Sequence, residues 1–167
     1  MTFHELNLLP EDALKHELFK CCGSTAWVNK MCPFFPMDDL VEMLEDAEGQ
    51  WYACTEADWR EAFTQHPKIG DTDLLTKKFA DTADWAAGEQ SAAAGGSQEI
   101  ITELAAVNES YEQKFGYIFI VSATGKTADE ILGLIKKRLA NTPEDEIKIA
   151  AEEHNKITLL RLQKLIV

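Results

Sequence analysis

Apolar positions recur along this chain every three or four residues, interrupted by prolines, glycines and small polar capping residues. Leu14, Leu18 and Phe19 form one face between Pro10, placed as a first helical residue, and Gly23. After Pro36, the residues Leu40, Leu44, Ala47 and Trp51 repeat that spacing. Thr55 and Asp58 have the form of a capping box, and Trp59 and Phe63 continue the helix it opens. Asp71 and Asp81 are placed to cap two further helices, the second carrying Trp85, Glu89 and Gln90. Gly95-Gly96 then breaks the pattern before Ser97 opens a long helix through Leu104, Tyr111 and Phe115 to Gly116. Thr127 and Thr142-Pro143 begin two more, the last running to the C-terminus.

Residues 117–121 depart from this period, being β-branched and aromatic like a strand. No second convincing strand exists to pair with them, so they are expected as a short extended apolar segment threaded through a helical core. The prediction is an all-α, compact, single-domain helical bundle over residues 1–167.

Composition narrows the function. A chain of 167 residues buries about 70% of its unfolded surface, enough for one core without staples. The net charge of −13 repels phosphate backbones and anionic lipid, so neither nucleic acid nor membrane is expected as a partner. An anionic substrate would need local positive charge from only 16 Lys and Arg, leaving open whether Lys68, Lys126 or Arg138 draws it in. The four cysteines (Cys21, Cys22, Cys32, Cys54) form no C-x-x-C pair and read as free thiols in a reducing compartment. They and the four histidines are not grouped as metal ligands, and no metal is expected. The N-terminus lacks the pattern of a signal peptide, and the run Ile118-Phe119-Ile120-Val121 is too short to span a bilayer. A cytoplasmic protein is expected.

Three places carry candidate chemistry. In His66-Pro67-Lys68-Ile69-Gly70-Asp71 the proline ring should end the preceding helix and hold the imidazole on a stiff corner. Histidine suits proton transfer near neutral pH; a helix-terminal histidine facing the macrodipole is the structural alternative. Glu89-Gln90 lies among small residues, and Gln90 both donates and accepts, matching the N–H and C=O edges of a urea or hydantoin. An exposed polar patch is the alternative there. Arg161 and His154 fall within the apolar stripe Ile147, Ala151, Thr158 and Leu165. A guanidinium on that face must find an anion, either a structural acid such as Glu89 or a substrate carboxylate, unless it snorkels to the surface.

These elements, with Asn108-x-x-Tyr111-x-x-x-Phe115-Gly116, the run 119–126 and the ending Lys156-Ile157-x-x-x-x-Arg161-Leu162-x-Lys164-Leu165, resemble the 2-oxo-4-hydroxy-4-carboxy-5-ureidoimidazoline (OHCU) decarboxylases of purine breakdown. The similarity runs in order along nearly the whole chain. It implies an all-helical, often dimeric carboxy-lyase without metal or organic cofactor, turning a small anionic ureidoimidazoline into (S)-allantoin in urate degradation. It implies catalytic roles for His66, Glu89 and Arg161, with His66 as proton donor. Pro67, Gln90 and the backbone from about Val121 to Ala123 would hold the ureido and ring amides. Family members often carry Ser where this chain has Ala86, which removes one hydrogen bond to the ligand unless water or backbone supplies it. The residues taken singly also fit a hydantoin or ureide hydrolase or racemase, or a non-catalytic helical interaction module.

Overall fold

The computed structural model describes residues 1–69, 85 and 97–167. Among these residues every regular element is helical: α1 (Phe3–Asn7), α2 (Glu11–Cys22), α3 (Thr25–Met31), a 3₁₀ turn (Cys32–Phe34), α4 (Leu40–Tyr52), α5 (Glu56–Phe63), α6 (Gln98–Phe115), α7 (Ala128–Leu139) and α8 (Pro143–Leu165). The all-α expectation holds. The helices expected after Asp71 and Asp81 lie outside the described residues, apart from Trp85, which is helical.

The predicted punctuation places several helix ends. Gly23 closes α2 in the left-handed region at φ 81°, its N–H reaching the Phe19 carbonyl at 2.8 Å. Gly116 closes α6 in the same way at φ 80°. The Ser97 hydroxyl caps α6, and Thr127 with Glu130 forms a capping box on α7. Thr55 and Asp58 exchange bonds at the head of α5, the Thr55 N–H donating to Asp58 Oδ2 at 2.8 Å and the Asp58 N–H to Thr55 Oγ1 at 3.3 Å.

Three details differ from expectation. Pro10 precedes α2 instead of opening it, because its ψ of 151° leaves it extended. The short helices α1 and α3, capped by Thr2 and Ser24, hold too few turns to show an apolar period. On α4 the deepest residues are Met43, Ala47 and Trp51, while Leu40 and Leu44 are half-buried. The wholly buried Trp27 accounts for that rotation: its indole N–H must donate, and it takes the Ala47 carbonyl at 2.9 Å.

The chain divides into two compact units, one of Met1–Ala62 with His154–Val167, the other of Phe63–Glu153. In the first, α3 packs against α2 and α4 around Leu18, Trp27, Met31, Met43 and Trp51. In the second, α6 packs against α7. Tyr111 stands at the centre of that unit's aromatic cluster, its ring 4.6 Å from Phe115 and 5.3 Å from Phe119 between centroids. Residues 117–121 have no regular structure and are buried, save the half-buried Ile118. No helix among the described residues is long and apolar enough to cross a membrane.

The first unit buries His154 completely, stacked on Trp51 at 4.5 Å between ring centroids and with Nδ1 3.3 Å from Thr158 Oγ1. Burial, and then the Arg161 charge, push this imidazole from its ordinary 6.5 down to about 3. The unfolded chain takes up the proton below 6.5 while the folded one does not until about 3, so stability falls across that interval as pH drops. The slope from this group is at most about 1.4 kcal/mol per pH unit. Urea unfolding midpoints followed from about pH 7 to about pH 4 should fall less steeply in His154→Phe than in the wild type. An unchanged slope would show that His154 does not set the acid limb.

Candidate active site

The His66 corner is built as its sequence dictates. The His66 N–H closes the turn after α5 on the Phe63 carbonyl at 3.3 Å, and Pro67 turns the chain away from helix. His66 is 8% exposed and Pro67 is buried. One turn of α6 then ties the corner down. Asn108 Nδ2 donates to the Ile69 carbonyl at 3.3 Å, and Glu112 pairs with Lys68 Nζ at 2.5 Å. Lys68 is therefore engaged in the fold. Gly70 and Asp71, the end of the motif, lie outside the described residues.

The same unit holds Val121 and Ala123, both buried on a non-helical stretch whose backbone is held by side chains. Arg138 Nη1 donates to the Ile120 carbonyl at 2.7 Å. The Ser122 N–H donates to Glu153 Oε2 at 2.8 Å, and Lys126 Nζ reaches the Ser122 carbonyl at 2.7 Å. A turn with Gly125 at φ 78° follows, closed by the Lys126 N–H on the Ala123 carbonyl at 3.0 Å.

Behind that stretch sits a buried ion pair. Glu146, wholly buried, faces Arg138 Nε at 2.8 Å and Nη2 at 2.6 Å, and accepts from Asn141 Nδ2 at 3.0 Å. The Tyr111 hydroxyl completes the set by donating to Glu146 Oε1. Burial first, and the Glu146 partner second, push the Tyr111 phenol far above its ordinary range, so it donates and does not ionise. The Arg138 guanidinium carbon also lies 4.4 Å from the centroid of the Phe119 ring. Arg138 is thus no attractor of distant anions. Its burial was readable in the sequence, since it continues the apolar face Ile131, Leu132 and Ile135 of α7.

Arg161 belongs to the other unit, where it is 2% exposed on the predicted stripe of α8 and donates from Nη1 to the Lys20 carbonyl at 3.2 Å. Ile147, Ala151, His154, Thr158 and Leu165 of that stripe are all buried. The structure therefore groups His66, Pro67, Val121 and Ala123 in the Phe63–Glu153 unit and Arg161 in the unit that includes His154–Val167. Glu89, Gln90 and Ala86 lie outside the described residues. Glu146, Glu153 and Tyr111 are the polar groups near this backbone that residue-by-residue reading did not assign.

The family described as OHCU decarboxylase matches residues 7–163. The chain belongs to the OHCU decarboxylase family. It is 40% identical over 147 residues to the uric acid degradation bifunctional protein TTL of Arabidopsis thaliana, covering 87% of this chain and 45% of that protein. It is 36% identical over 106 residues to a 2-oxo-4-hydroxy-4-carboxy-5-ureidoimidazoline decarboxylase of Amia calva, covering 60% of this chain and 57% of the relative. The chain thus spans about half the length of these two relatives. A crystal structure of OHCU decarboxylase in the presence of (S)-allantoin superimposes with a TM-score of 0.74 at 36% identity, covering 89% of this chain and 96% of that one.

For this family member, Asn108→Ala should free the Ile69 carbonyl and leave it buried without its donor. The expected loss is about 1–3 kcal/mol of folding stability in urea unfolding. A loss below about 0.5 kcal/mol would show that Asn108 does not hold the corner.

Proposed function

We propose that this chain is a cofactor-independent carboxy-lyase that converts 2-oxo-4-hydroxy-4-carboxy-5-ureidoimidazoline to (S)-allantoin in urate catabolism. The observation that carries this reading is the match at 36% identity, over 96% of its length, to an OHCU decarboxylase crystallised in the presence of (S)-allantoin. The buried imidazole of His66, on a corner whose Lys68 and Ile69 are tied to α6, and the buried non-helical backbone at Val121–Ala123 support it, as both belong to one unit.

The chemistry asks little of a cofactor. The carboxylated carbon of the substrate bears a hydroxyl and adjoins a ring C=N. As the bond to CO₂ breaks, its electron pair forms a carbon–carbon double bond and the C=N pair moves to the ring nitrogen, which takes up a proton. The resulting enol takes a proton on the neighbouring carbon as its hydroxyl loses one, giving the ketone form of the product. The net change is loss of CO₂ and gain of one proton. The protein must therefore position the ring, manage charge and deliver a proton to one face.

In this reading His66 moves the proton, and Glu89 orients and charges the imidazole. Arg161 offsets the carboxylate charge or steadies Glu89. Pro67, Gln90 and the main chain of Val121 and Ala123 hold the ureido and ring amides. A guanidinium that gripped the carboxylate equally in ground and transition states would not accelerate the step. The family resemblance supports a homodimer. Four free cysteines, three of them buried, suit a reducing compartment such as the cytoplasm.

The test uses substrate generated fresh by oxidising urate and hydrolysing 5-hydroxyisourate. The wild type should form (S)-allantoin faster than the spontaneous racemic background; unchanged rate and handedness would reject the reading. His66→Ala should lose about 10²–10⁴ in kcat with its fold retained, as expected for a removed general acid–base group. Gln90→Ala should act mainly on KM. A His66 variant that turns over at the wild-type rate would overturn the proton-transfer role.

A further inference from the structure

Arg138 acts in two directions at once. Its Nε and Nη2 face one oxygen of Glu146, while Nη1 reaches the Ile120 carbonyl at 2.7 Å. A planar guanidinium locked at one edge by a carboxylate has its remaining nitrogen aimed in a single direction, so the carbonyl it holds is fixed too. Glu146 is in turn oriented by Asn141 at 3.0 Å and by the Tyr111 hydroxyl. The carbonyl at the end of this chain of contacts lies one residue before Val121, where the stretch assigned to substrate amides begins.

We propose that Arg138, oriented by Glu146 and Tyr111, is a positioning residue of the substrate site: it fixes the main chain of residues 120–123 so that the stretch meets the ureidoimidazoline. The inference rests on the decarboxylase reading and deepens it. Arg138 touches neither substrate nor the proton in transit. Its work is the shape of the binding surface, used alike in the ground and transition states, so its disturbance raises KM and leaves kcat nearly intact.

The test compares wild type, Arg138→Lys and Tyr111→Phe. Each is checked for folding by urea denaturation, then assayed with freshly generated substrate, with hydrogen exchange followed at the amides of residues 121–123. Lysine keeps the charge beside Glu146 but not the fork that reaches carboxylate and carbonyl together. Arg138→Lys should raise KM about tenfold, with kcat held within about threefold and exchange faster at Val121 and Ser122. Tyr111→Phe spares the ion pair and removes one donor to Glu146; it should shift KM the same way by about two- to threefold, and it carries the test if Arg138→Lys does not fold. A folded variant with wild-type KM, or with lowered kcat at unchanged KM, overturns the positioning role. An inactive wild type would instead overturn the decarboxylase reading.

Discussion

Backbone buried away from water must find partners for its N–H and C=O groups, and residues 117–123 cannot use a helical ladder to do so. Side chains from α7 and α8 take over that task, Arg138 on the Ile120 carbonyl and Glu153 on the Ser122 N–H. The solution carries its own demand. Arg138 and Glu146 are both removed from solvent, and a buried charge stripped of its partner is destabilising by about 3–5 kcal/mol. Asn141 and Tyr111 answer that demand, the Tyr111 hydroxyl donating to the oxygen that Arg138 faces and Asn141 to the other. An irregular buried segment, an ion pair and a phenol are therefore one interdependent unit.

Helix α6 links this unit to the His66 corner. Asn108, Tyr111, Glu112 and Phe115 fall at positions that share one side of a helix. Asn108 and Glu112 hold the chain after His66, while Tyr111 holds Glu146. The caps at both ends of α6, Ser97 and the left-handed Gly116, fix how far that side extends. Gly116 also lets the chain leave the helix directly into the buried stretch.

Local chemistry is what made the fold legible from sequence. Capping residues and left-handed glycines act within four residues of themselves, so Gly23, Thr55, Ser97, Gly116 and Thr127 were readable at their positions. The rotation of α4 was not, because it depends on where the Trp27 indole finds its acceptor on another helix. The site divides in the same way. The burial of Arg161 follows from the period of α8, and the turn at His66 from Pro67. The identity of a long side chain's partner does not follow from period. Arg138 stands on an apolar face like Arg161, yet its pairing with Glu146 becomes visible only once α7 and α8 are placed.

The engagement of the cations has a consequence for encounter with a charged ligand. Lys15, Lys20, Lys68 and Lys136 each sit against a glutamate, and Lys114 and Lys126 are turned to backbone carbonyls. With a net charge of −13, the far field met by an approaching anion is repulsive. Dissolved ions shorten its reach, from about 30 Å at 0.01 M to about 8 Å at physiological strength. Collision with an anion should thus quicken as ionic strength rises, the reverse of an electrostatically steered enzyme.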